Sequence, residues 1–191
     1  RARLRLISLD DAGEIRLDEL AAVLSDKTRL VAVAHVSNSL GGVSPLREIL
    51  ALARRSGARV LVDGAQAVAR LPVDVQELDC DFYAFSGHKL YGPTGIGVLY
   101  ARRELLERMP PFLTGGGMVD RVGAESASFA GVPARFEAGT PNVEGAVGLR
   151  RAIEYLEALG LERVMRHDQH LTRFARATLR LVNRYFQLRT C

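Results

Sequence analysis

Val60-Leu61-Val62-Asp63-Gly64-Ala65-Gln66 is an apolar run of strand length that closes on a carboxylate, a glycine and an amide. A second run, Phe82-Tyr83-Ala84-Phe85, closes on Ser86-Gly87-His88-Lys89. A third, Leu30-Val31-Ala32-Val33-Ala34, opens into His35-Val36-Ser37-Asn38-Ser39-Leu40-Gly41-Gly42. Unbroken apolar runs, unlike alternating ones, are expected of strands covered on both faces. Pro45 suits the first turn of a helix whose stripe is Leu46, Ile49, Leu50 and Ala53, and Gly57 ends that helix. Strand, helix, strand in this order predicts an α/β fold with a mainly parallel sheet flanked by helices.

Outward from this centre the pattern is less uniform. Leu4, Leu6 and Ser8 alternate with arginines and an isoleucine and read as a short strand, ending in the turn Asp10-Asp11-Ala12-Gly13. Leu17, Leu20, Ala21 and Leu24 form a helical stripe. Further on come a short helix at 75–78, a strand at 96–100 and a helix at 104–109. Residues 110–142 are rich in Gly, Pro, Ser and Ala and read as a long functional excursion. Two helices are expected at 143–158 and 161–188. The second carries Leu161, Val164, Met165, Leu171, Phe174, Ala175, Leu181, Val182 and Tyr185 as packing surface. Both ends of the pattern are expected to be cuts through a larger protein, with 1–160 as part of one domain and 161–191 as a helix leading out of it.

Composition narrows the function classes. Of 191 residues, 48% are hydrophobic and 25% charged, the balance of a soluble globular chain with enough apolar material for a core. No apolar stretch approaches membrane-spanning length, and no secretory leader is expected. Two cysteines, Cys80 and Cys191, make no disulfide framework, so a cytoplasmic location is expected. The net charge of +4 comes from residues 161–191, where seven arginines face only Glu162 and Asp168. A solvated helix face accounts for them, and no nucleic-acid partner is expected. His167 and His170 rest on i, i+3 spacing alone, so no metal is expected either.

The three polar loops follow the carboxyl ends of strands, where parallel α/β sheets bind ligands. Only two lysines, Lys27 and Lys89, stand among 26 basic residues. Arginine stays protonated, whereas lysine can lose its proton and act as a nucleophilic amine. Lys27 lies in a polar turn; Lys89 lies in the polar loop that follows Phe82–Phe85. Each residue has a plainer alternative. Asp63 could cap a helix, Asn38 could make an Asx turn, His88 could be a packed histidine and Ser86 a turn former. None of these alternatives explains the arrival of all three loops at one sheet edge. Pyridoxal 5'-phosphate uses such a set as a unit: a lysine for a Schiff base, an anion at the ring nitrogen, a donor at the ring oxygen and groups for the phosphate.

Asp63-Gly64-Ala65-Gln66, Phe82 through Gly95 and Phe136-Glu137-Ala138-Gly139-Thr140-Pro141-Asn142 together resemble the class V aminotransferase superfamily. The resemblance is closest to the group II cysteine desulfurases, the SufS/CsdA type, related to selenocysteine lyase, and covers about residues 5–175. It implies the large domain of a fold-type I pyridoxal-phosphate (PLP) transferase. It also implies conversion of L-cysteine to L-alanine and an enzyme persulfide used in iron–sulfur cluster assembly. By the same resemblance Lys89 is the Schiff-base lysine, Asp63 the partner of the pyridine nitrogen and Gln66 that of the ring oxygen. Ser86 and His88 match phosphate ligands, and Asn38 matches a residue contacting cofactor and substrate. Thr140 matches a phosphate ligand donated across a homodimer interface, and Gly115-Gly116-Gly117 a mobile loop near the entrance. A sulfur-acceptor protein is a further implied partner. The family's ring-stacking histidine lies in an N-terminal segment outside the match. The small domain with its nucleophilic cysteine and substrate arginine lies outside it too. Neither Cys80 nor Cys191 stands in the family's cysteine context, so this chain alone is expected not to desulfurate cysteine. Another class V enzyme, or a non-catalytic remnant acting as an interaction module, remains as an alternative.

Overall fold

The computed structural model describes the backbone of residues 2–187 and the side chains of residues 2–180. Its centre is a four-stranded sheet in the order β1-β2-β3-β4, with β1 Leu30–Ala34, β2 Arg59–Asp63, β3 Phe82–Ser86 and β4 Gly97–Ala101. The pairs β1/β2 and β2/β3 are parallel, and β4 runs antiparallel to β3. The connection from Gly87 to Ile96 is too short for a crossover, so β4 must return beside β3.

Helix α1 (Leu17–Val23) packs on α2 (Leu46–Arg55), and α2 covers one face of the sheet. The predicted stripe Leu46, Ile49, Leu50 and Ala53 is buried in full. Leu46, Leu50 and Ala53 share a core with Val60, Val62, Cys80 and Tyr83. After β2 come α3 (Val75–Leu78) and, beyond β4, α4 (Arg103–Arg108). Helix α5 (Val143–Leu159) brings Leu149 and Leu156 against Leu90 and Ala69, and α6 (Leu161–Gln187) follows directly after Gly160. Leu181, Val182 and Tyr185 of the predicted stripe, with Leu188 and Cys191, lie outside the described side chains. On the described part of α6, Leu171 and Phe174 are exposed, so that stretch of the stripe is not packed.

Two expectations about strands are corrected. Strand β1 is not covered on both faces: Leu30, Ala32 and Ala34 are exposed, because β1 is the edge strand and only the α2 side of it is packed. Leu4 and Leu6 form no strand and are each 80% exposed. Among the described residues they have no neighbouring strand to pair with; a bridge from Leu9 to Ile15 closes the Asp10 turn, whose carboxylate accepts the Ala12 and Glu14 N–H groups. The 110–142 excursion has structure of its own. An antiparallel hairpin, β5 (Val119–Val122) and β6 (Ala127–Phe129), is anchored by the fully buried Met118.

Candidate active site

Each parallel strand ends in a loop built by short-range chemistry. After β1, Ser37 organises the turn: its Oγ accepts from Leu40 N at 3.1 Å, and Gly41 N donates to Ser37 O at 3.0 Å. Gly41 takes φ +72°, a conformation that suits glycine. The turn-forming role thus falls to Ser37, and among the described residues the exposed Asn38 amide makes no hydrogen bond. After β2, Asp63 Oδ1 accepts from Ala65 N at 2.9 Å. This is an Asx turn and occupies one carboxylate oxygen. Oδ2 accepts nothing among the described residues, and the Gln66 amide is likewise uncommitted.

After β3 the chain winds through one 3-10 turn, Gly87–Leu90, with Gly87 and Leu90 buried and His88 and Lys89 exposed. Tyr91 at φ +63° ends the turn. Gly92 N then donates to Gly87 O at 3.0 Å, and Gly87 N to Ile96 O at 2.8 Å. The packing leaves no room for side chains: a Cβ on Gly92 would lie 2.9 Å from Gly87 O, and one on Gly87 2.8 Å from Ile96 Cγ2. A rigid backbone knot therefore presents Lys89, whose amine has no acidic partner among the described residues.

Asn38, Asp63, Gln66 and Lys89 line one cleft of about 630 Å³ at the carboxyl edge of the sheet. A cleft of that size holds a small cofactor with its substrate. Ser86, at the end of β3, and His88, beside Lys89, do not line it. Thr140 is exposed in the segment before α5, also away from the cleft. That segment is nonetheless tied to the lysine loop, because Asn142 Nδ2 donates to Gly95 O at 3.2 Å. Gly139 N donates to Gly116 O at 2.8 Å, which fastens the Gly115–Gly117 run to the residues preceding Thr140.

The donor set suits a pyridoxal group: one primary amine, one carboxylate oxygen without a partner and two free amides face a common space. No group of three or more potential metal ligands exists among the described residues. Beneath the site lies a pair to which the sequence assigned no role. The buried His35 shares a 2.9 Å hydrogen bond with the phenol of Tyr83, their rings meeting edge to face. Burial pushes the imidazole pKa down and the phenol pKa up, so both are neutral near pH 7. Tyr83 reads in the sequence as apolar strand filler. Its only signal is a position diagonal to Gly64, which becomes apparent once the β2/β3 register is known.

A parallel α/β sheet with a lysine, an aspartate and amides gathered at its carboxyl edge is the large-domain arrangement of a PLP-dependent transferase. The aminotransferase class-V model matches residues 1–189, and the chain belongs to that family. Within it, the chain is 55% identical over 175 residues to a cysteine desulfurase of Salmonella newport, covering 91% of this chain and 43% of that protein. The apo structure of a cysteine desulfurase from Thermococcus onnurineus superposes with a TM-score of 0.90 at 40% identity, over 95% of this chain and 45% of that one. A C-DES variant with glycine covalently linked to its PLP cofactor matches with a TM-score of 0.70 at 35% identity, over 78% of this chain and 41% of that one. The chain thus spans less than half the length of these relatives.

Proposed function

We propose that the protein is a PLP-dependent cysteine desulfurase that takes L-cysteine to L-alanine and passes the sulfur on as a persulfide for iron–sulfur cluster assembly. In this reading residues 1–160 belong to the large domain and 161–191 lead toward a small domain. The observation that carries it is the convergence of Asn38, Asp63, Gln66 and Lys89 on one cleft in a chain of this family.

When bound, pyridoxal 5'-phosphate supplies an electron sink for charge developing at the substrate Cα. Lys89 would hold the group covalently until substrate takes its place, and its freed amine would then move the proton at the substrate Cα. Its freedom from acidic partners leaves the amine available for both tasks. Asp63, with Oδ2 uncommitted, would keep a proton on the ring nitrogen by ion pairing. Gln66 would donate to the ring oxygen, and Asn38 would reach cofactor and substrate from the opposite loop. By the family resemblance Ser86 and His88 would hold the phosphate beside Lys89, outside the lining of the cleft itself, and Thr140 would do so across a homodimer interface. The thiolate that accepts sulfur, and the protein that receives it next, come from beyond the described residues. Cys80 cannot serve, because it is fully buried and burial pushes its thiol pKa up.

The test is alanine and sulfide release from L-cysteine by the full-length protein, with borohydride trapping and peptide mapping in parallel. With a dithiol reductant present to free the persulfide sulfur as sulfide, equimolar alanine and sulfide, a cofactor tag on Lys89 and loss of all three in Lys89→Ala are expected. A tag on Lys27, or turnover unchanged in Lys89→Ala, would overturn the reading.

A further inference from the structure

The Asp63–Gly64 peptide is held from both sides of β2. Its carbonyl accepts from His35 N at 2.8 Å, and its N–H donates to Ala84 O at 2.8 Å. The third hold is steric. A Cβ on Gly64 would fall 2.0 Å from Tyr83 Cε1 and 2.3 Å from the phenol oxygen, so the Tyr83 ring occupies the space a side chain would take. Gly64 has no positive φ, so backbone conformation does not demand glycine there. What demands it is the path of Tyr83, which runs from β3 beneath the end of β2 to the imidazole that follows β1.

His35 also anchors the Asn38 loop. Its carbonyl accepts from Ser44 N at 2.9 Å, and Ser44 Oγ donates to Ala34 O at 2.6 Å. One buried residue therefore touches the backbone of both loops that face the cleft from β1 and β2. His35 is 9% exposed and Tyr83 1%, so their hydrogen bond meets little competition from water.

We propose that His35 and Tyr83 are positioning residues for the Asp63 carboxylate: their hydrogen bond beneath Gly64 holds the Asp63–Gly64 peptide in the orientation that presents the carboxylate to the cleft. This rests on the reading of Asp63 as the partner of the ring nitrogen. Tyr83→Phe removes the phenol oxygen and keeps the ring that fills the space under Gly64. The turn then keeps its two backbone hydrogen bonds and the ring beneath Gly64, and loses only the phenol–imidazole bond that ties Tyr83 to His35.

The test is a double-mutant cycle on equilibrium affinity for pyridoxal 5'-phosphate, followed by absorbance titration of the full-length protein, with urea unfolding measured on each variant. Tyr83→Phe is expected to weaken binding about tenfold, the scale on which contacting residues couple. Asp63→Asn should weaken it further, and Tyr83→Phe should then add nothing on the Asp63→Asn background. The same loss from Tyr83→Phe on both backgrounds, or no loss at all, would make the pair a packing feature and overturn the proposal. Unchanged affinity in Asp63→Asn would sink the reading of Asp63, and the proposal with it, by a result distinct from additivity. Where Tyr83→Phe does not fold, His35→Leu removes the same hydrogen bond and enters the cycle with the same outcomes.

Discussion

At Gly64 a single methyl group would collide with the Tyr83 ring at 2.0 Å, and the neighbour is an aromatic ring clamped in the core, not a flexible side-chain tip. Relief would require β2 and β3 to part or the ring to leave its rotamer. Overpacking of this kind costs about 1–3 kcal/mol. Gly64→Ala is therefore expected to lower the urea midpoint, and a Gly64→Ala/Tyr83→Phe double variant should not recover it, because the ring remains. A Gly64→Ala protein as stable as wild type would show that the ring has another place to go. The histidine at the other end of the pair carries a pH signature. Burial lowers its pKa, so the folded state binds fewer protons than the unfolded chain, whose histidines titrate near about 6.5. The stability gained by keeping His35 neutral is present in full above that pH and is lost as pH falls below it toward the depressed folded value. Urea midpoints measured from pH 8 down to pH 5 should drop more steeply in wild type than in His35→Leu. Parallel profiles would remove His35 from the acid response.

The strand ends away from the cleft are pinned by charge. Asp81, buried, accepts from Val60 N at 2.8 Å and from Arg59 at 3.0 Å, which locks the start of β2 to the start of β3. Asp79, at φ +58°, pairs with Arg54 of α2 and with Arg102 just after β4. Removing the buried acceptor strands the Val60 N–H, so Asp81→Ala should cost about 1–3 kcal/mol in urea unfolding. Asp81→Asn, which keeps an acceptor oxygen, should cost less; equal losses would point to packing instead of hydrogen bonding. These elements were legible in the sequence to different degrees, for physical reasons. The helix α2 and the strands β2 and β3 could be read because each buries a continuous or periodic apolar set. Asp63, Gln66, Lys89 and Asn38 could be read as a group because a polar cluster closing an apolar strand stands out against its neighbours. The exposed face of β1, the unpaired stretch at Leu4 and Leu6 and the β5/β6 hairpin could not be read. Those depend on which partners a segment meets, and local pattern does not carry that information. The His35–Tyr83 pair was hidden for the same reason, since one member follows β1 and the other lies on β3, with β2 between them.

At the scale of the molecule, one row of the sheet and much of the surface beyond it stay uncovered. Leu30 and Leu99 are exposed on strands, Phe174 on α6, and Phe112, at 94% exposure, in the segment after α4. Apolar surface in such amounts marks places where other protein packs, in keeping with a chain that spans 43% of a curated relative. The catalytic consequence is specific. In the proposed reading the residues at the cleft would hold a cofactor and move a proton at the substrate Cα, but sulfur removal would also need a thiolate placed in line with the substrate sulfur. Placement of a reacting group is worth roughly 7–11 kcal/mol in favourable cases, which is the difference between turnover and none on a laboratory timescale. Cys80 lies in the core with no exposed surface, and Cys191 lies outside the described residues. The 191-residue chain is therefore expected to release sulfide from L-cysteine no faster than free pyridoxal 5'-phosphate does, even when it retains the cofactor on Lys89. The measurement is sulfide and alanine release by this chain, with the full-length protein and free cofactor as the two references. Turnover approaching the full-length rate, abolished by Cys191→Ala, would place the nucleophile at Cys191 and make this chain catalytically sufficient.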